Sequence, residues 1–294
     1  MQTPSSAVDV PDRAGLLADL IAEGDELDGL VAELDSSGWA TPTPAPGWTI
    51  AHQIAHLAWT DTWSLRAVRD PAGFPAAARA SFTGAEPGSG DGIELGGAVD
   101  LGAEAGARRP HPELLAGWRA GRAELARALA RTAPDTRLPW MGPPMKPASM
   151  ATARIMETWA HGQDVADALG VVRSPTARLR HIAHLGVRTR GFAFTVHGLA
   201  APAEPVRVEL TGPAGESWSW GPAGAADRIT GPALDFCLLV TRRRHHADLA
   251  VTPEGPVATA WLPIAQAFAG PPGAGRARRG QRPSGLDPLA PRVR

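Results

Sequence analysis

Two pairs of side chains carry metal-ligand chemistry at helical spacing. His52 and His56 stand four residues apart in "TIAHQIAHLAWTD", and Glu157 and His161 stand four apart in "ETWAHGQDVADALG". Groups at i and i+4 lie one turn above each other on the same helical face. In a bundle, inward side chains from two such helices can converge on one ion. Two imidazoles and one carboxylate with an open position suit a catalytic divalent ion such as zinc, and nickel or iron accepts the same ligands. Each pair taken alone is also what an ordinary solvated helix face carries. Their neighbours argue for burial: Ile54, Leu57 and Trp59 flank one pair, and Ile155, Trp159 and Val165 the other. A charged group beside an apolar stripe costs free energy unless a partner or a metal compensates it.

The remaining chemistry-bearing residues narrow the options. His181 and His184 in "LRHIAHLG" repeat the theme at i, i+3, but no carboxylate lies near them in sequence, so they read as a decoy. His245 and His246 are adjacent, cannot both face one site from a helix, and are placed at a helix end. The single cysteine, Cys237 in "LDFCLLVT", reads as a buried small hydrophobe. One cysteine excludes an intrachain disulfide and a multi-cysteine metal site, and agrees with a reducing cytoplasm. With no tyrosine in the chain, no mechanism can call on a phenol. Twenty-nine basic residues against 30 acidic ones leave no global field to recruit nucleic acid or a membrane surface. The N-terminus lacks a basic segment followed by an apolar one, and no apolar run approaches the ~18 residues of a membrane span. The expectation is a cytoplasmic protein.

The elements that must position these groups follow from periodicity. Apolar spacing predicts an amphipathic helix over 11–36, ended by the prolines of "GWATPTPAPGW". A second helix starts at Thr49 as N-cap and carries His52 and His56. The glycine-rich, acidic stretch 85–106 reads as a flexible loop, a candidate lid. Further helices are predicted from about Pro112, from Met150 to Leu169, and from about Thr176 to Val196. Beyond residue 200, "EPVRVELTGPAGESWSWGP" alternates around a turn as a β-hairpin does. A helix in "GPALDFCLLVTRRR", a short strand around "ADLAVTP" and a last helix in "VATAWLPIAQAFAG" complete it. The expected class is α+β: a helical bundle over 1–200, a small α+β domain over 201–270, and a disordered basic tail over 271–294.

"PAPGWTIAHQIAHLAWTD" followed by "ETWAHGQDVADALG" about a hundred residues later resembles the DinB-like metal-binding bundle of mycothiol-dependent maleylpyruvate isomerases, and the closing "WLPIAQAFAG" resembles an actinobacterial metal-binding subgroup of that family. The resemblance covers roughly residues 10–200. It implies His56, Glu157 and His161 as ligands of a divalent metal such as Zn2+, with mycothiol as thiol cosubstrate. His52 is then an extra histidine: a fourth ligand, a proton shuttle or a plain surface group. Asp164 resembles the family's aspartate after Gly-Gln and would accept a hydrogen bond from an imidazole N–H, unless it is a simple solvated carboxylate. The family's small C-terminal domain supplies an arginine to the site. Here Arg242, Arg243 and Arg244 run together and the sequence does not choose among them for binding substrate or thiol. Alternatively, they complement a helix C-terminus. The function this implies is activation of a low-molecular-weight thiol for addition to an electrophilic small molecule, as isomerase or thiol transferase. Metal-dependent hydrolysis and non-catalytic metal binding are the alternatives. Oligomeric state is left open.

Overall fold

A computed structural model describes residues 12–82 and 95–280. The first helix, α1 (Arg13–Val31), begins at Asp12, whose carboxylate accepts from the Gly15 N–H at 2.8 Å. A single turn, α2 (Ser36–Trp39), is capped in the same way by Asp35. The proline connector then delivers the chain to α3 (Ile50–Arg69), which starts at Thr49. Next come α4 (Phe74–Phe82), α5 (Leu95–Ala107), α6 (His111–Arg131) and α7 (Pro147–Leu169). Helix α7 stops on Gly170 at φ 67°, a left-handed cap that glycine adopts without a Cβ penalty. The helix expected over 176–196 is two, α8 (Leu179–Arg188) and α9 (Arg190–Val196). They part at Thr189, whose hydroxyl donates at 2.7 Å to the Gln266 carbonyl.

Helix α3 is the axis of the bundle. Ile50, Ile54 and Leu57 are fully buried, and so, nearly, are Gln53, His56, Thr60, Asp61 and Ser64. A helix buried on most sides must be surrounded, and α5, α6 and α7 all pack on it. Its buried polar groups therefore need partners. Thr60 and Ser64 donate to carbonyls of their own helix. Asp61 pairs with Arg154 of α7 at 2.9 Å. Gln53 and His56 point into the site described below.

The stretch 85–106, expected as a loop, is helix from Leu95 onward; its first part, and the lid reading with it, lies outside the described residues. Glycines misled the periodicity reading. A Cβ on Gly102 would lie 2.7 Å from the Trp59 ring, and one on Gly106 would lie 2.7 Å from the Ala55 Cβ. These glycines let α5 approach α3 closely, and Glu104 between them reaches His52 of α3 at 2.8 Å.

The sheet has four strands in the order β2-β1-β3-β4. Strands β1 (Val206–Thr211) and β2 (Ser217–Trp220) form the expected hairpin, with Leu210 opposite Trp218 and Val208 opposite Trp220. Strand β3 (Asp227–Pro232) lies parallel to β1, and β4 (Thr252–Glu254) pairs antiparallel with β3. Sequence reading missed β3, because its last residues, Gly231 and Pro232, read as the start of the following helix. That helix, α10 (Ala233–Val240), does begin right after Pro232, which serves as its N-cap. The last helix is short: α11 (Pro256–Trp261) passes into a 3-10 turn and then into irregular chain.

Val206, Val208, Leu210, Trp218 and Ile229 form the buried face of the sheet. They share one apolar cluster with Phe236, Cys237 and Val240 of α10, Trp261 of α11, and also Met156, Trp159, Ile182 and Phe194 of α7, α8 and α9. Residue 200 thus marks a change of secondary structure, while the core runs across it. The expected disordered tail is described as irregular chain as far as Gly280, and part of it is anchored: Arg276 donates to the Pro44 carbonyl and to Asp164. Among the described residues no helix is long and apolar enough to cross a membrane.

Candidate metal centre

Helices α3 and α7 pack side by side and bring the two sequence pairs together. His56 Nε2 lies 3.4 Å from Glu157 Oε2, and His161 Nε2 lies 3.3 Å from the same oxygen. The two imidazole rings are 4.4 Å apart. Among the described residues this is the one group of three or more His, Cys, Asp or Glu with ligand atoms within 4.8 Å of one another. Ligands held at about 2.0–2.1 Å around a tetrahedral ion are themselves about 3.3 Å apart. The donor set and its spacing fit a divalent metal.

The tautomer of His161 follows from a chain of hydrogen bonds. The Thr43 hydroxyl donates to the Trp48 carbonyl at 3.0 Å, so its oxygen accepts from Gln53 Nε2 at 2.8 Å. That fixes the amide, leaving Gln53 Oε1 as acceptor for His161 Nδ1–H. Burial, and then the charge of His56, lowers the His161 pKa from 6.5 to about 4. A neutral ring with its proton on Nδ1 turns a lone pair on Nε2 toward the carboxylate. Two acceptors 3.3 Å apart repel unless a cation lies between them. Burial acts to raise the Glu157 pKa, but its contacts with the two imidazoles prevail and hold it well below the usual carboxylate range. The site therefore offers an ionised carboxylate beside a neutral imidazole, the protonation states a metal requires. His56 Nδ1 is buried without a hydrogen-bond partner.

Trp48 covers the pair. Its ring is stacked on His161 at 5.9 Å and tilted over His56 at 5.5 Å, and its Nε1 donates to Asp100 of α5 at 3.2 Å. Gln53 was not visible as a functional residue from the sequence, since its partner is 108 residues away. Trp48 belonged to the motif but had no assigned contact.

The other candidates separate. His52 does not join the cluster: its Nδ1 accepts from the Thr49 N–H at 3.2 Å, a capping-box contact, and its Nε2 lies 2.8 Å from Glu104 of α5. It is neither ligand nor plain surface group but a tie between two helices. Among the described residues Asp164 bonds no imidazole, contrary to expectation, and Gln53 accepts from His161 Nδ1–H instead. Asp164 is 1% exposed and faces two guanidiniums: Arg276 donates to Oδ1, and Arg243 Nη2 lies 3.0 Å from Oδ2, an ion pair without hydrogen-bond alignment. His181 pairs with Asp19 at 2.7 Å, a carboxylate distant in sequence but adjacent in space. His245 and His246 lie beyond the end of α10 with their rings tilted against each other, centroids 4.3 Å apart.

Arg242, Arg243 and Arg244 diverge because α10 ends before them. Arg243 N–H bonds the Leu238 carbonyl and Arg242 N–H the Leu239 carbonyl, both at 2.9 Å, a Schellman closure that puts Arg242 at φ 56°. Arg243 turns toward α7, donating from Nε to the Ala160 carbonyl at 3.1 Å, next to His161. Arg244 grips Asp167 with two bonds of 2.6 and 2.7 Å. Arg242 has no carboxylate partner among the described residues, and its Nε is buried without a hydrogen-bond partner. Of the three, Arg243 is the one beside the cluster.

Comparison with known proteins agrees with this architecture. Residues 20–166 match the family described as mycothiol maleylpyruvate isomerase N-terminal domain, and residues 202–252 match one described as wyosine base formation. The chain is 56% identical over 265 residues to two Mycobacterium tuberculosis proteins, called "Uncharacterized protein MT0041" in strain CDC 1551 / Oshkosh and "Uncharacterized protein Rv0036c" in strain ATCC 25618 / H37Rv. Each match spans 90% of this chain and 99% of the relative. Crystal structures of the mycothiol-dependent maleylpyruvate isomerase, and of a histidine-to-alanine mutant of it, share the fold. Both superpose with a TM-score of 0.54 at 18% identity, covering 84% of this chain and 96% of the other. With the bundle, the paired helices and half the chain matched, the protein belongs to the mycothiol maleylpyruvate isomerase N-terminal domain family.

Proposed function

We propose that this protein is a divalent-metal enzyme that activates a low-molecular-weight thiol, mycothiol or a close analogue, for addition to an electrophilic small molecule. His56, Glu157 and His161 would hold the ion, zinc being the simplest choice for this donor set. When bound, such an ion supplies a positive charge that favours thiolate over thiol at neutral pH. The observation carrying this reading is His161 Nε2 set 3.3 Å from Glu157 Oε2 while Nδ1 faces Gln53 Oε1, an arrangement a cation between the first two atoms resolves.

The protein's own residues would do the rest. Gln53 holds the His161 proton on Nδ1 through its Oε1. Trp48 shields both imidazoles on one side. Arg243, held by Asp164 and the Ala160 carbonyl, puts a fixed positive charge near the site, suited to orienting an anionic substrate. Cys237 cannot serve as nucleophile, because burial raises its pKa well above the usual thiol range and its Sγ faces the Leu179 carbonyl. The nucleophilic sulfur must then come from outside the chain. Which electrophile is attacked, and whether the thiol leaves again or stays, is the choice between isomerase and transferase.

The test joins metal content to turnover. Purified wild type should carry one equivalent of divalent metal by elemental analysis, lost in His56→Ala and Glu157→Gln. The loaded wild type should turn over maleylpyruvate, or conjugate a bimane electrophile, only when mycothiol is present. Stoichiometric metal surviving both substitutions would remove the site, and turnover without thiol would move the protein to the hydrolases.

A further inference from the structure

A cleft of about 390 Å³ opens between the N-terminal turn of α7, α8 and β2. It is separate from the metal centre. Thr152 in its lining precedes Glu157 by five residues and His161 by nine, so at about 100° per residue it lies about 140° and 180° around α7 from them. No residue of the metal cluster lines it.

The lining is one-sided in charge. It contains Arg13, Arg180, Arg188, His181 and His184 and no aspartate or glutamate. Some of these groups are already engaged: Arg13 donates to the Leu129 and Thr132 carbonyls, and His181 pairs with Asp19. The guanidiniums of Arg180 and Arg188 have neither a hydrogen bond nor an ion pair among the described residues; that of Arg180 rests over the Trp218 ring, 6.0 Å from its centroid. His184 Nδ1 accepts from Trp220 Nε1 at 3.2 Å, which leaves its Nε2 to carry the proton as a donor. Burial, and then the charges of Arg188, His181 and Arg180, lower its pKa, as a locally positive field would. Helix α7 adds its positive end: Lys146 provides no side-chain cap, and Ala148 and Ser149 of the first turn line the cleft. The remaining walls are apolar, with Leu16, Pro134, Leu185 and the Trp220 ring among them.

Cations and N–H donors around apolar walls, with no carboxylate in the lining and Asp19 already held by His181, define a ligand with a negative end and a greasy body. We propose that this cleft binds a small organic anion, a carboxylate or a phosphate monoester on a flat apolar body, with Arg180 and Arg188 holding the charged end beside Trp220. The assignment does not depend on what happens at the metal centre.

The probes are benzoate and phenyl phosphate, with benzyl alcohol as the neutral control. The readout is 19F NMR of 5-fluorotryptophan-labelled protein, the Trp220 resonance being assigned by its loss in Trp220→Phe. At least one anionic probe should shift that resonance saturably, and the one that does identifies the headgroup. Benzyl alcohol should not shift it. Arg180→Gln combined with Arg188→Gln should weaken binding about tenfold or more, since each guanidinium contributes a charge-assisted contact. Both side chains are at least partly exposed, so the double variant should keep the other tryptophan resonances in place. The His56→Ala variant should bind as wild type does. An unmoved Trp220 signal with both anions, equal response to benzyl alcohol, undiminished binding by the arginine variant, or loss of binding in His56→Ala would each overturn the proposal.

Discussion

At the scale of single residues, the arrangement turns on where protons sit. Gln53 fixes the His161 tautomer from a position no spacing rule could link to it, because the contact spans 108 residues and joins two helices. His56, Glu157 and His161 were legible as a cluster because side chains at i, i+4 share a helix face and the motif named which member of the histidine pair matters. Asp164 was misread for a physical reason. Its place three residues after His161 suits an imidazole contact, but two arginines from distant segments claim its carboxylate. Replacing Gln53 with Met keeps the volume and removes the acceptor. Chelator competition should then show about 10–100-fold weaker metal binding, as for other partners of metal-bound histidines. A second expectation concerns acid. His161 has its pKa lowered from 6.5 to about 4, so the unfolded chain binds this proton more tightly than the folded one. The stability it reflects is complete above about pH 6.5 and is lost as the pH falls toward 4, by up to about 3 kcal/mol. Thermal melting of the metal-free protein between pH 7 and 4 should show this slope, and His161→Gln should flatten it. Cys237→Ala offers a third check: thiol-dependent turnover should persist in it, whereas loss of turnover in a folded variant would make the protein's own sulfur the nucleophile.

At the scale of elements, the departures from expectation come from glycine and from proline. Most helices were readable from apolar period, and α3 also from its cap, Thr49. Helix α5 was not, because Gly97, Gly102 and Gly106 look like loop chemistry in isolation. Helix propensity is a weak prior that packing overrides, and α5 uses Gly102 and Gly106 to sit against Trp59 and Ala55 of α3. Strand β3 was hidden in the same way by Gly231 and Pro232 at its end. The packing account makes opposite predictions for two glycines. Gly106→Val should destabilise the protein by about 1–3 kcal/mol through overpacking. Gly121 of α6 has open space where its Cβ would be, so Gly121→Ala should stabilise by about 0.5–1 kcal/mol. Urea denaturation of the two variants decides it. Two gains in stability would mean that α5 does not lie this close to α3. The Gly106 change should also loosen the neighbouring His52–Glu104 contact, which ties the start of α3 to α5.

At the scale of the whole molecule, the sequence announced a helical part followed by a sheet-containing part, and the switch from helical spacing to apolar–polar alternation beyond residue 200 made that legible. What it did not announce is how the parts are joined. We propose the bundle and the α+β unit as separate domains in sequence only, since one apolar cluster runs from the sheet into α7, α8 and α9. The most buried charged group of the junction is Asp164, beside the Arg244–Asp167 pair. Its buried carboxylate faces Arg243 from the segment after α10 and Arg276 from the C-terminal stretch, and Arg276 also bonds the Pro44 carbonyl in the connector before α3. Basic, glycine-rich sequence around Arg276 reads as a tail because nothing local reveals a buried acid 112 residues away. A buried charge that loses its partners is costly, by about 3–5 kcal/mol, while a pair removed together costs less. Asp164→Asn should therefore destabilise strongly, because two guanidiniums lose their counter-charge at once. Arg276→Ala should cost less, since Arg243 still faces the carboxylate. Made in the Asp164→Asn background, Arg276→Ala should cost almost nothing or even help, giving a coupling of about 1–3 kcal/mol in a double-mutant cycle read by urea denaturation. If the two effects simply add, the C-terminal stretch is not seated on the bundle, and the Arg243 geometry beside the His56–Glu157–His161 cluster must be held without it.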